Sequence, residues 1–293
     1  MASVNTVIAN AVLEGKKTLV HLACEEGNVK TLRLLTDAKV DLELKDDEGQ
    51  TPLMVACRYQ KIECFTLLLE CGADPNVKDA QEQPLLHMAC AQLNPPYVRL
   101  LLAHGADPEI LDESRNTPLH VIFRNPEVEI VRLLLEKGAN PNAQNNLGNP
   151  PMDEIWKNFY PFHETIDSVR LLLEHGANVD HLGSNFENVL IKACRKKSPS
   201  LVRLFLKYGA SCANRALVLV TERLQRASSY DKRGIALLEE CKELLTEHLA
   251  PTPKKRSRTE VVEDEEEVES EEPSTKRIRF PSGSKEGWDC DSA

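Results

Sequence analysis

Two short markers recur in this 293-residue chain at one fixed interval. Thr18, Thr51, Pro84, Thr117, Pro150 and Asn188 follow each other at steps of 33, 33, 33, 33 and 38 residues. Gly72, Gly105, Gly138, Gly176 and Gly209, each followed by Ala, stand at steps of 33, 33, 38 and 33. Two independent markers in one register from Thr18 to Gly209 describe an array of identical supersecondary units, not two globular domains. No unit of that size buries its apolar face alone, so each must be covered by the next. The five extra residues fall in the fifth unit, around Phe159–Thr165.

The second unit, GQTPLMVACRYQKIECFTLLLECGADPNVKD, shows how one repeat is built. Thr51 is placed to cap a helix by accepting free backbone N–H groups, and Pro52 suits the first helical position. A short helix then runs through Leu53, Ala56 and Cys57. A second carries Ile62, Phe65, Leu67, Leu68 and Leu69 and stops at Gly72, where a left-handed residue closes the end. Asp74-Pro75-Asn76 supplies turn chemistry.

These residues resemble the ankyrin repeat. Its TPLH signature stands complete at Thr117–His120, TPLM stands at 51–54 and PLLHMA at 84–89. LLLECGADPN, LLLAHGADPE, LLLEKGANPN and LLLEHGANVD close the second to fifth units. The resemblance implies an all-α solenoid of helix-turn-helix units with β-turn fingers. Residues 16–213 hold six repeats, after a short N-terminal cap at 1–15. The first unit has Leu19 for the usual proline, and the sixth lacks TPLH. Leu237, Leu238, Cys241, Leu244, Leu245 and Leu249 share one helical face, so 214–249 reads as a helical cap or degenerate seventh unit. The family uses the TPLH histidine to hold its turn by hydrogen bonds, which assigns His21, His87 and His120 a structural role. It also hydroxylates Asn residues in the slot of Asn76 and Asn142, although a turn role accounts for both.

Chemistry is sparse. Nine cysteines, an odd number, argue against a disulfide framework and for a reducing compartment. Cys24, Cys57, Cys90 and Cys194 share one slot behind an alanine, as small buried apolar thiols do. No HExxH, paired-cysteine zinc pattern, phosphate-cradling glycine loop or nucleophile elbow is present. The reading is therefore a non-enzyme with no cofactor and no metal. Lys and Arg number 36 against 46 Asp and Glu, a net −10 that disfavours direct nucleic-acid binding. No apolar run reaches the ~18 residues of a membrane span, and the first residues do not read as a signal peptide.

Function then lies on the surface. In the resembled family, partners bind the fingers and first helices. The fingers KDDEGQ, KDAQEQ and LDESRN carry Asp46, Asp47, Asp79 and Asp112, and the first helices add Arg58, Tyr59 and Arg124. An acidic finger edge of this kind is expected to accept a basic peptide or domain of a protein partner. Trp156 and Phe159 belong to the one aromatic concentration, in the fifth unit, where aromatic anchors favour binding.

The composition changes at Pro251. Residues 250–293 carry 8 Lys/Arg and 12 Asp/Glu with few apolar side chains, the composition of a disordered tail. Lys254, Lys255, Arg256 and Arg258 form one basic cluster and Lys276, Arg277 and Arg279 another, separated by an acidic block. Such clusters resemble nuclear localisation signals read by an import receptor. Thr252, in Thr-Pro-Lys-Lys, resembles a proline-directed kinase site whose phosphate would lie beside the first cluster. The sequence thus reads as a monomeric, nuclear protein-binding scaffold that regulates transcription, in a layout similar to the IκB-like proteins. The competing reading is the substrate-recognition adaptor of a ubiquitin ligase, with 235–249 as its ligase-binding helix.

Overall fold

A computed structural model describes residues 16–157, 163–182, 187–227 and 231–250. Thirteen α-helices and one 3-10 helix are found among them, with no β-strand and one isolated bridge between Lys78 and Pro84. The first helices of the units are α1 (Leu19–Glu26), α3 (Pro52–Arg58), α5 (Leu85–Ala91), α7 (Pro118–Ile122), the 3-10 helix (Pro151–Trp156), α10 (Val189–Arg195) and α12 (Ala213–Gln225). The second helices are α2 (Val29–Asp37), α4 (Ile62–Glu70), α6 (Pro95–Ala103), α8 (Val128–Glu136), α9 (His163–Glu174), α11 (Pro199–Lys207) and α13 (Lys232–Leu249).

Packing follows the period. α1 lies against α3, α5 against α7, and α7 against the 3-10 helix, while α2 packs on α4, α4 on α6, α6 on α8 and α8 on α9. One continuous apolar core runs from Val20 to Leu245. Phe65, Phe123 and Phe205 are its largest fully buried side chains, and Cys24, Cys57, Cys90 and Cys194 are all enclosed at 0% exposure. Burial pushes the Cys57 and Cys194 thiols up to about 12, so these sulfurs are inert packing groups. Gly72 and Gly105 end their helices at φ 90° and 89°, the left-handed backbone that a side chain disfavours.

The repeats are also clamped to each other along one loop slot. A carboxylate or amide oxygen of one unit accepts a backbone N–H of the next: Glu43 from Asp74 at 2.9 Å, Asn76 from Asp107 at 2.8 Å and Glu109 from Asn140 at 2.8 Å. Asn142 accepts from Asn178 at 2.7 Å and Asp180 from Ser211 at 2.9 Å. Asn76 and Asn142 also donate to the carbonyls of Gly105 and Gly176.

Two local expectations are corrected. Thr51 precedes α3, but its hydroxyl caps nothing and has no partner. Where Thr18 and Thr117 meet a histidine three residues on, Thr51 meets the sulfur-bearing Met54. The first helix of the fifth unit is a 3-10 helix, closed by Asp153 N–H to the Pro150 carbonyl and Lys157 N–H to that of Glu154. The second helix of that unit takes up part of the extra sequence, running 12 residues where α8 runs 9. At the end of the array α12 and α13 pack on each other, α12 on α10 and α13 on α11, burying Ala216, Val220, Leu238, Cys241 and Leu245. Residues 1–15 and Phe159 lie outside the described residues, as do the tail residues Thr252, Lys254, Lys255, Arg256, Arg258, Lys276, Arg277 and Arg279.

Candidate partner-binding surface

Each finger is held by an acid or amide at its base. Asp46 Oδ1 accepts from the N–H groups of Glu48 (3.0 Å) and Gln50 (2.9 Å), closing the turn around Gly49. Asp79 does the same for Gln81 and Gln83, both at 2.9 Å, and Asp112 accepts from Asn116 at 2.7 Å. Asn145 replaces the acid in the fourth finger and accepts from Leu147 and Asn149. Neighbouring fingers are linked in turn: the Ala80 N–H donates to the Glu48 carbonyl at 3.1 Å, and Asn146 N–H to that of Ser114 at 3.0 Å.

This geometry corrects the reading of three acids. Asp46 and Asp79 are only 8% and 6% exposed, and their carboxylates serve the backbone of their own turns. Asp112 does so from a half-buried position. The acids that face solvent are their neighbours Asp47, Glu48, Glu82 and Glu113. Asp47 lies 3.5 Å from Lys16 and Glu82 3.8 Å from Lys78, both loose surface pairs that add little stability. Glu48 is engaged by Arg58, so the field open to a partner is that of Asp47, Glu82 and Glu113.

Histidines set the finger against the first helix. A carbonyl oxygen only accepts, so His21 Nε2, 3.0 Å from the Gln50 carbonyl, carries the ring hydrogen. Its Nδ1 then accepts the Thr18 N–H at 3.1 Å, with the Thr18 hydroxyl at 2.8 Å. His120 repeats this with Thr117 and the Asn149 carbonyl. His87 donates to Asn116, but position 84 is proline and Nδ1 is unpartnered. Burial lowers the pKa of all three rings, so they stay neutral holders of the turn.

The first helices bring their cations to the same surface. Arg58 pairs with Glu48 of the finger, and the adjacent Tyr59 is 44% exposed. Further along, Glu154 is fully buried yet ionically partnered: Arg124 Nε lies 3.2 Å and Lys157 Nζ 2.7 Å from Oε2, while Asn145 donates to Oε1 at 3.5 Å. Beside it, Lys192 of the next unit lies 2.9 Å from Asp153. Trp156 is half-buried and packs against the core at this point. Two enclosed carboxylates and three cations thus meet at this point of the stack. The sequence offered one clue to it. Asp153 occupies the slot that holds histidine in the first, third and fourth units.

Among the described residues no group of three or more His, Cys, Asp or Glu is placed to hold a metal ion, and no helix is long and apolar enough to cross a membrane. The candidate surface combines a finger edge bearing exposed acids with a first-helix face bearing Arg58, Tyr59, Arg124, Trp156 and Lys157.

Comparison with known proteins places this architecture. The family model "Ankyrin repeats (3 copies)" matches residues 3–79 and 75–145. An ankyrin repeat domain from Acinetobacter baumannii AYE has a TM-score of 0.63 at 30% identity, over 66% of this chain and 98% of the other. The ankyrin repeat domain of Bcl-3, described as a unique member of the IκB protein family, has a TM-score of 0.62 at 29% identity, over 77% and 100%. No curated protein sequence matches. Ankyrin repeats bind protein partners, and by its period, its helix pairs and these likenesses the chain belongs to the ankyrin repeat family.

Proposed function

We propose that this protein is a non-catalytic nuclear scaffold that binds a protein partner through its fingers and first helices, and so regulates transcription. The observation that carries the binding mode is the row of solvent-facing acids Asp47, Glu82 and Glu113 on successive fingers, each next to an acid or turn residue fixed to the backbone, with Glu48 beside them paired to Arg58. A rigid row of like charge favours a basic peptide or domain and steers its approach. Tyr59 and Trp156 supply the amphipathic contact area that binding hot spots use. The likeness to Bcl-3 supports the regulatory part of the reading, and the two basic tail clusters support nuclear import. Phosphorylation of Thr252 would set a negative charge two residues from Lys254 and weaken that signal.

The test reverses Asp47, Glu48, Glu82 and Glu113 to Lys in the full chain and measures capture of partners from nuclear extract at low salt. Binding should fall while the thermal midpoint stays put. Undiminished capture would remove the finger edge from the reading. Localisation is tested separately, by following a fluorescent fusion in which Lys254, Lys255, Arg256, Lys276, Arg277 and Arg279 are alanine. Retention in the nucleus would sink the import role. The ligase-adaptor alternative gains little from α13, whose leucines Leu238 and Leu245 are buried within the array.

A further inference from the structure

We propose that a cleft at the C-terminal end of the array, lined by Lys197, Arg223 and Arg226 over Ala227 and Leu238, binds an extended acidic peptide. The charge distribution along the chain is the first support. Residues 1–186 hold 16 Lys/Arg against 27 Asp/Glu, whereas residues 187–233 hold 11 against 3. Residues 234–250 of the last helix return to 1 against 4, so in a chain with a net charge of −10 the basic excess is confined to the sixth unit, α12 and the start of α13, opposite in sign to the units before it.

The cleft concentrates that excess. It measures about 330 Å³ and draws its lining from three elements. Lys197 comes from the loop between α10 and α11, where it sits at φ 55°. Arg223 and Arg226 come from the last turn of α12 and its cap, and Leu238 from α13. Arg223 is held in place by donating from Nη1 to the Arg195 carbonyl at 2.7 Å, which leaves its other nitrogens for a ligand. Among the described residues neither Arg223 nor Arg226 has a carboxylate partner, whereas most other arginines of the array have one.

The chain itself shows which chemistry the cleft accepts. Asp231, an exposed carboxylate on its rim, is engaged by Lys197 and caps α13 through the Gly234 N–H at 3.0 Å. The Lys197 hydrogen bond holds that carboxyl below its ordinary range. A bound peptide extends this pairing to the two arginines. In an extended chain alternate side chains share a face about 6.6 Å apart, and each carboxylate offers a guanidinium two acceptors. Ala227 and Leu238 give an uncharged floor for the peptide backbone. A nucleic acid fits less well, because its affinity grows with the number of phosphates neutralised in a track and this cleft offers two arginines free of a carboxylate, its lysine being held by the lining acid Asp231.

The experiment measures fluorescence anisotropy of a labelled dodecapeptide of alternating Glu and Ala on the full-length protein at low salt. Wild type should bind, with affinity falling as salt rises. R226E, which leaves the Arg223–Arg195 bond intact, should weaken binding about tenfold, the scale of one charge-assisted contact. R223E/R226E should abolish it, and D47K/E48K on the finger should leave it no weaker. Equal binding by wild type and R226E overturns the proposal. So does tighter binding by a single-stranded oligonucleotide of matched charge, which would assign the cleft to nucleic acid.

Discussion

His87 Nε2 donates to the Asn116 carbonyl across 2.8 Å, yet the other ring nitrogen of the same residue is buried without a partner. Pro84 stands where Thr18 and Thr117 offer an N–H and a hydroxyl to their histidines. Its backbone, at φ −69° and ψ 147°, is open to threonine, since Thr51 holds −79° and 161° in the same slot. Pro84→Thr should therefore stabilise the protein by about 1 kcal/mol, the relief of an unpaired buried acceptor less the lost stiffening of the unfolded chain. Chemical denaturation of the two proteins checks it. A loss of stability would mean that the ring nitrogen is already satisfied.

The neighbouring unit has the converse vacancy. Thr51 has its hydroxyl buried and unpaired because Met54 occupies the histidine slot. Met54→His should let the ring accept from Thr51 and donate to the Gln83 carbonyl, as the other three histidines do 29 residues ahead. A gain of about 1 kcal/mol is expected. The NMR signature would be a slowly exchanging ring N–H; its absence together with a lowered midpoint would show that thioether packing outweighs the bond.

The same rings make stability depend on pH. Burial lowers the folded-state pKa of His21, His87 and His120 below the ordinary histidine value of about 6.5. Above that value neither folded nor unfolded chain binds the extra protons. Below it the unfolded chain takes them up first, so stability falls as pH drops from about 6.5, by up to ~1.4 kcal/mol per pH unit for each ring. Urea midpoints between pH 7.5 and 5 should follow this curve, and H120Q should flatten it while weakening the fold at pH 7.5. An unchanged slope in H120Q would place the pH response in other groups.

Finger stacking separates two glycines that look alike. Gly49 and Gly148 share φ 71°. A Cβ on Gly148 meets nothing within 4 Å, whereas one on Gly49 would lie 2.4 Å from the Ala80 backbone nitrogen. Gly148→Ala should cost only the left-handed strain of about 1 kcal/mol. Gly49→Ala should cost clearly more, because it also drives the Ala80 N–H away from the Glu48 carbonyl. Equal losses in thermal unfolding would show that the two fingers are not coupled there.

Much of this architecture is legible in sequence because a repeat tests each residue several times. The helix pairs, the closing glycines and the buried cysteines all follow from residues recurring at 33-residue steps. The finger acids yield to the same test. Asp46, Asp79, Asp112 and Asn145 fill one slot in four units, as structural residues do, while the next slot holds Asp47, Ala80, Glu113 and Asn146 and keeps an acid in only two. A turn carboxylate and a solvated one are the same letter, and only the backbone N–H groups around Asp46 distinguish them. Glu154 escapes that test. Its burial depends on Arg124, 30 residues earlier, and on Asn145, whose side chains converge on it only in the stacked array.

The loop clamps have a direction. Glu43, Asn76, Glu109, Asn142 and Asp180 each offer a side-chain oxygen to the unit that follows, and what they grip is main chain. The receiving side of each joint is thus generic, and the specific side belongs to the unit before it. A unit exchanged for another keeps its grip on whatever comes after it, and is itself gripped regardless of its side chains at that loop. Such a joint lets one repeat diverge without requiring a matching change in its predecessor, so the fingers and first helices are free to vary with the partner while the stack persists.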